Sequence, residues 1–159
     1  MKTFDRTSDV YLKKLCNKNN IMLDGIVMKD NLIDIPKRKY MSVIINLQSE
    51  NDGGNGTHWV ALLKKNSKYF YFDSYGVVPP EEIINYRKKN EKIGYSNYIV
   101  QDLDSEACGY FCVAFLHYMQ NVKGNDYENY NDFINIFNDN TRTNDKQLMK
   151  YIKFAKIKL

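Results

Sequence analysis

Residues 104–121 read DSEACGYFCVAFLHYMQN, and the fold turns on them. No Asp, Glu, Lys or Arg falls between positions 107 and 121, so a helix over this span is apolar on every face and must be enclosed by other elements. Its partners are short and apolar. Positions 41–47 form a β-branched run followed by a polar, glycine-rich loop over 48–56, and 57–63 and 69–73 read as two strands of a hairpin joined across 64–68. Positions 98–101 suit a further strand. Helices are predicted at 8–19, where Ser8 can cap and Val10, Leu12, Leu15 and Cys16 recur at helical spacing. Others are predicted at 79–91, behind the Pro79-Pro80-Glu81-Glu82 start, and at 126–138 and 145–156.

The 159 residues suit one compact domain burying about two-thirds of its unfolded surface, and no repeat or linker divides positions 1–159. Apolar residues at 43% and charged residues at 26% exclude wholesale disorder and fibrous repeats. No apolar run approaches the roughly 20 residues that span a bilayer, and Met1-Lys2-Thr3-Phe4-Asp5-Arg6 lacks the apolar core of a signal peptide. The expectation is a protein that is not secreted, touches no membrane and keeps its thiols reduced. Its three cysteines make no disulfide framework. The net charge of +4 is mild and the lysines are scattered until the basic tail 146–158, which reads first as solvated surface and second as a contact for an acidic partner such as DNA.

A nucleophilic cysteine must ionise, and a helix N-terminus favours the thiolate through its unpaired N–H groups and its dipole. Cys108 opens the apolar helix, behind the capping residues Asp104 and Ser105, with Gly109 keeping the first turn open for a close-lying substrate. Cys16 and Cys112 read as buried apolar residues. There are two histidines. His117 follows Cys108 on the same helix, which at about 100° and about 1.5 Å per residue puts it on the opposite face and roughly 13 Å along the axis. His58, at the start of a strand after the glycine-rich loop, is therefore the candidate base. A hairpin turning at Asn66-Ser67 places Val60 opposite Asp73 and His58 diagonal to it, so Asp73 can orient the imidazole. The Cys108 N–H offers one oxyanion donor, and the side chain of Gln101 offers a second. Zinc is disfavoured, since Cys108 and Cys112 have no second Cys or His pair at structural spacing. No cofactor or metal enters the expected chemistry.

Four motifs, Gly56-Thr57-His58-Trp59, Phe72-Asp73-Ser74-Tyr75-Gly76, Gln101, and Ser105-Glu106-Ala107-Cys108-Gly109-Tyr110-Phe111-Cys112, give the chain an order and spacing that resemble the adenovirus protease (adenain) family, related more distantly to the SUMO-specific proteases. The resemblance runs from the first helix to about residue 121. It implies an α+β fold in which a central mixed β-sheet packs against the buried helix carrying the nucleophile, with further flanking helices. It also implies a cysteine endopeptidase with His58, Asp73 and Cys108 as triad and Gln101 as oxyanion donor, with Trp59 packed beside the site.

The implied substrates are viral capsid or core precursors, cut after small residues such as glycine during virion maturation, by a monomer in the virion or the infected cell. Asp73 stands where adenain has a glutamate. Positions 84–98 hold no cysteine, so the disulfide through which adenain holds its activating peptide has no counterpart. DNA as activator is a trait of the family. The alternatives are a protease for ubiquitin-like modifiers, which also end in Gly-Gly, and a non-catalytic capsid or DNA-binding component.

Overall fold

The computed structural model describes residues 3–48 and 58–159. Three antiparallel strands form the middle of the sheet: β2 (Tyr40–Asn46), β3 (Trp59–Lys65) and β4 (Lys68–Phe72). Each flank carries a short strand parallel to its neighbour, β1 (Gly25–Met28) on β2 and β5 (Lys92–Tyr95) on β4, giving the order β1-β2-β3-β4-β5. The sheet is mixed and the fold is α+β, as the sequence resemblance implies.

Both faces of the sheet are covered, which is why its strands read as continuous apolar runs. Side chains alternate along β3: Trp59, Ala61 and Leu63 enter the larger core, while Val60 and Leu62 enter the smaller one. The larger core contains α3 (Cys108–Asn121), packed among α1 (Asp9–Lys18), α4 (Asp126–Ile134) and α5 (Asn144–Phe154). Phe111, Phe115 and Leu116 of α3 are fully buried, and Phe115 stacks on Phe72 with centroids 4.9 Å apart. The smaller core is closed by the 3-10 turn Lys29–Asp34 and by α2 (Glu81–Tyr86) through Leu32, Ile83 and Tyr86.

Several boundaries differ from the sequence expectation, among them the helix predicted over 126–138, which ends at Ile134. The hairpin loop is Asn66-Ser67 alone, because Lys64 and Lys65 stay in the strand. Their charges are matched in place, Lys64 by Glu91 at 3.2 Å and Lys65 by Asp126 and the Met119 carbonyl. The helix predicted over 79–91 ends at Tyr86, and Arg87 is extended. The Arg87 guanidinium gathers the carbonyls of Lys88, Lys89 and Glu91 into a turn that delivers β5 to the sheet. Positions 98–101 form no strand: the N–H groups of Val100 and Gln101 both donate to the Ser74 carbonyl, and no ladder follows. The predicted loop over 48–56 lies, apart from Gln48, outside the described residues.

The N-terminal segment straps across the start of α3. Phe4 is buried against Tyr110, and the Thr7 carbonyl accepts from the Trp59 indole at 3.2 Å. Thr7 fills the space beside Gly109, where an added Cβ would meet Thr7 Oγ1 at 2.1 Å and Leu12 Cδ2 at 3.0 Å. Gly109 therefore admits the strap, and the expectation that it leaves room for substrate is corrected. Gly109→Ala is expected to destabilise by about 1–3 kcal/mol, as overpacking does. Urea unfolding measures this, with Thr7→Ala recovering part of the loss in the double variant.

Candidate active site

The β3–β4 hairpin sets the first half of the site. Its register pairs Lys65 with Lys68 and Ala61 with Phe72, so the chain leaves the ladder with His58 and Asp73 side by side at one end of the sheet. His58 Nε2 lies 2.7 Å from Asp73 Oδ1, and the same oxygen accepts the Tyr75 N–H at 2.8 Å. The Asp73 carboxylate is buried. A carboxylate can only accept, so Nε2 carries a proton, and Nδ1 is the ring nitrogen turned away from Asp73. Nδ1 is buried and bonds no nitrogen or oxygen among the described residues, while the ring engages the Cys108 side chain.

The second half is the entrance to α3. Cys108 is its first residue, so the Cys108 N–H points out of the helix end. Ser105 fixes that end: its hydroxyl accepts the Ala107 N–H at 3.1 Å and donates to Asp145 of α5 at 2.8 Å. The N-cap position is Ala107, which has no side-chain cap, so the expectation that Asp104 and Ser105 cap the helix is corrected: Ser105 holds the turn that precedes it. Burial, with the Asp102 charge adding to it, raises the Asp145 pKa against the lowering pull of the Ser105 hydrogen bond.

Gln101 is buried beside this entrance and held at both ends of its amide. Its Oε1 accepts from the Ser74 hydroxyl at 2.5 Å, and its Nε2 donates to the Ser105 carbonyl at 2.9 Å. One hydrogen of the NH₂ remains for another acceptor. His58, Gln101 and Cys108 line one cavity of about 290 Å³ together with Arg6, Tyr75, Leu103, Asp104, Ser105 and Glu106. A larger cavity of about 500 Å³, between α1 and β1, holds Cys16 but no histidine to activate it.

The structure thus brings His58, Asp73, Gln101 and Cys108 to one place. His117 is elsewhere, 3.3 Å from the Tyr151 hydroxyl, with its pKa lowered by burial. Trp59 is buried next to the site and ties down the N-terminal strap. Sequence reasoning gave no role to Tyr75 or Ser74. Tyr75 stacks on the His58 ring at 4.6 Å and 26°, and Ser74 holds Gln101 through both its hydroxyl and its carbonyl. The signal available is their position directly after Asp73. Among the described residues, no group of three His, Cys, Asp or Glu side chains could hold a metal ion, and no helix is long and apolar enough to cross a membrane.

No protein-family model matches the chain, and no curated protein does. Among solved structures it resembles the pS273R protease of ASFV, with a TM-score of 0.53 at 20% identity over 94% of this chain and 64% of that one. The likeness is one of fold. The chain spans under two-thirds of that protein's length. It resembles equally the central domain of the uncharacterized Lpg1148 protein from Legionella pneumophila, with a TM-score of 0.52 at 14% identity over 96% of this chain and 97% of that one.

Burial alone would favour neutral His58, but the hydrogen bonds and electrostatic pull of Asp73 and Cys108 outweigh it and raise the pKa from 6.5 to about 9. Because the folded value lies above the unfolded one, His58 contributes stability present in full below about pH 6.5 and lost as pH rises through about 9. His58→Gln should therefore lower Tm more at pH 6 than at pH 10, as read by thermal melts. Burial lifts the Cys16 thiol to about 12 and Cys112 well above its ordinary range. Iodoacetamide near neutral pH is expected to alkylate Cys108 first, as peptide mass spectrometry would record.

Proposed function

We propose that this chain is a cysteine endopeptidase in which Cys108 is the nucleophile, His58 the general base, Asp73 the orienting acid and Gln101 an oxyanion donor. The observation that carries the reading is the single cavity lined by His58, Gln101 and Cys108, with Asp73 bonded to the far side of the imidazole. A binding module has no need of that constellation.

In the proposed reaction His58 Nδ1 holds the proton taken from the Cys108 thiol, in keeping with the raised pKa of the imidazole, and the sulfur attacks the scissile carbonyl carbon. The carbonyl oxygen becomes an oxyanion that accepts from the Cys108 N–H and from the remaining Gln101 Nε2 hydrogen. Collapse of the intermediate breaks the C–N bond, and His58 returns the proton to the departing amine. A thioester remains. His58 then takes a proton from water, the hydroxide attacks the thioester, and Cys108 is released with a carboxylate product. Throughout, Asp73 holds Nε2–H, which fixes the tautomer and compensates the imidazolium.

The proposed substrates are viral capsid or core precursors, cut after a small residue such as glycine during virion maturation. The motif resemblance supports this class. A cavity of about 290 Å³, at the lower end of ligand pockets and walled by Tyr75, favours a small residue at the scissile position. Action as a single domain and as a monomer, in the virion or the infected cell and with DNA as an activator, belongs to the same proposal. Incubation with the structural proteins of the virus should give processing by wild type and none by Cys108→Ala. Gln101→Ala should retain cleavage with kcat reduced about 10²–10³-fold, the usual loss of one oxyanion donor. Equal processing by wild type and Cys108→Ala would overturn the assignment.

A further inference from the structure

The two proposed oxyanion donors sit at the ends of one stretch, from Gln101 to Cys108, and between them the chain forms neither helix nor strand. Such a stretch has no ladder or helical repeat of its own, so its shape rests on turns and on side chains that reach it from elsewhere. Inside it, the Ser105 N–H donates to the Asp102 carbonyl at 3.0 Å and the Asp104 N–H to the Asp102 carboxylate at 3.3 Å. These short-range bonds close a turn without fixing where the turn sits on the molecule.

Three side chains from the start of α5 and the 3-10 turn before it, Thr141–Thr143, supply that anchorage. The Thr141 hydroxyl donates to the Asp102 carboxylate, the Asn144 amide donates to the Val100 carbonyl, and Asp145 accepts from the Ser105 hydroxyl, each at 2.8 Å. Asn144 is fully buried and uses its whole amide: the second hydrogen goes to the Asn138 carbonyl and the oxygen accepts the Asn138 N–H, both at 2.8 Å. The contacts fall on residues 100, 102 and 105, on both sides of Gln101 and close before Cys108. Ser105 passes the constraint on in two directions. An ionised carboxylate only accepts, so the hydroxyl hydrogen goes to Asp145 and a lone pair is left for the Ala107 N–H at 3.1 Å, while the Ser105 carbonyl takes Gln101 Nε2 at 2.9 Å. Next in the chain, the Ala107 carbonyl accepts the Phe111 N–H at 2.9 Å, so the trans peptide aims the Cys108 N–H away from the helix.

We propose that Asp145 is a positioning residue of the oxyanion site, acting through Ser105 to align the Gln101 amide with the Cys108 N–H, while Asn144 and Thr141 seat the stretch that carries it. The inference rests on the protease reading and extends it to a part of the chain that lies beyond the motif resemblance and touches no reacting atom. Oxyanion donors act at about 2.7–3.1 Å from the charge, and a misplacement of about 1 Å can cost about 10²-fold in rate. Release of Ser105 from Asp145 frees its hydroxyl to turn from Ala107 and its carbonyl to shift under Gln101, so both donors lose alignment together. The loss falls on the transition state, where the oxygen carries its charge. Formation of the thiolate is left intact, because His58 and Asp73 are held by the hairpin.

The test is steady-state cleavage of a glycine-containing peptide, chosen by wild type from a synthetic library, with alkylation of Cys108 by iodoacetamide measured alongside. Alkylation needs the thiolate and no oxyanion donor. Asp145→Ala is expected to lower kcat about 10–100-fold, with KM changed by less than about twofold and alkylation at the wild-type rate. Asp145→Asn keeps an accepting oxygen in place and should retain kcat within about threefold of wild type. Ser105→Ala should match Asp145→Ala, and the double variant should be no slower than either, since all three cut one bridge. If circular dichroism shows Asp145→Ala unfolded, Ser105→Ala against Ser105→Thr makes the same comparison. An unchanged kcat in Asp145→Ala and Ser105→Ala, an alkylation rate that falls in step with kcat, or Asp145→Asn as slow as Asp145→Ala would overturn the positioning role and leave the protease standing. No cleavage of any substrate by wild type would overturn the protease and the positioning role together.

Discussion

The enclosure of α3 is the constraint on which the rest depends. A helix with Phe111, Phe115, Leu116 and Met119 all buried cannot stand at a surface, and it is surrounded by the sheet, α1, α4 and α5. Enclosure fixes where its first turn ends up, because Phe115 stacks on Phe72, the last residue of β4, and Asp73 comes next. Cys108 is thereby delivered to the end of the sheet at which His58 and Asp73 leave the ladder. The strap over Gly109 and the Ser105 bridge to Asp145 then hold the helix entrance against movement along its axis.

The hairpin contributes a different kind of precision. With a turn of Asn66-Ser67, pairing parity alone decides that His58 and Asp73 share a side, and a slip of one residue would separate them. Lys64 and Lys65 guard that register, since each finds an acid at its strand position and neither gains by moving into a longer loop. The positive left-handed φ of 57° at Asn66 suits a two-residue connection at that residue.

This division explains what the sequence made legible. The buried helix, the hairpin parity and the exclusion of His117 are consequences of period and spacing, which a single chain displays in full. The alignment of His58 with Asp73 follows from them, and the structure places the two 2.7 Å apart. The end of α2 at Tyr86 and the parallel strand β5 were not legible, because both depend on partners distant in sequence, Lys64 with Glu91 and β4 with β5. Apolarity misled at positions 98–101, where half of the residues face water. Gly109 reads as room for substrate, whereas its smallness admits the strap, and only the position of Thr7 reveals that.

Ser74 joins the parts that period and spacing leave separate. Its backbone follows directly on Asp73, so the acid that orients His58 fixes where Ser74 begins. Its hydroxyl sets the Gln101 amide with oxygen toward Ser74 and nitrogen toward the helix entrance, and its carbonyl takes two N–H groups of the loop that carries Leu103. A single buried serine thus joins the turn after Asp73, the Gln101 amide and the loop that follows it. These parts cannot drift independently, since a shift of the Val100–Gln101 backbone must break bonds to the same serine whose hydroxyl holds the Gln101 amide. The hairpin end that carries His58 and Asp73 and the entrance of α3 are in this way mechanically one arrangement.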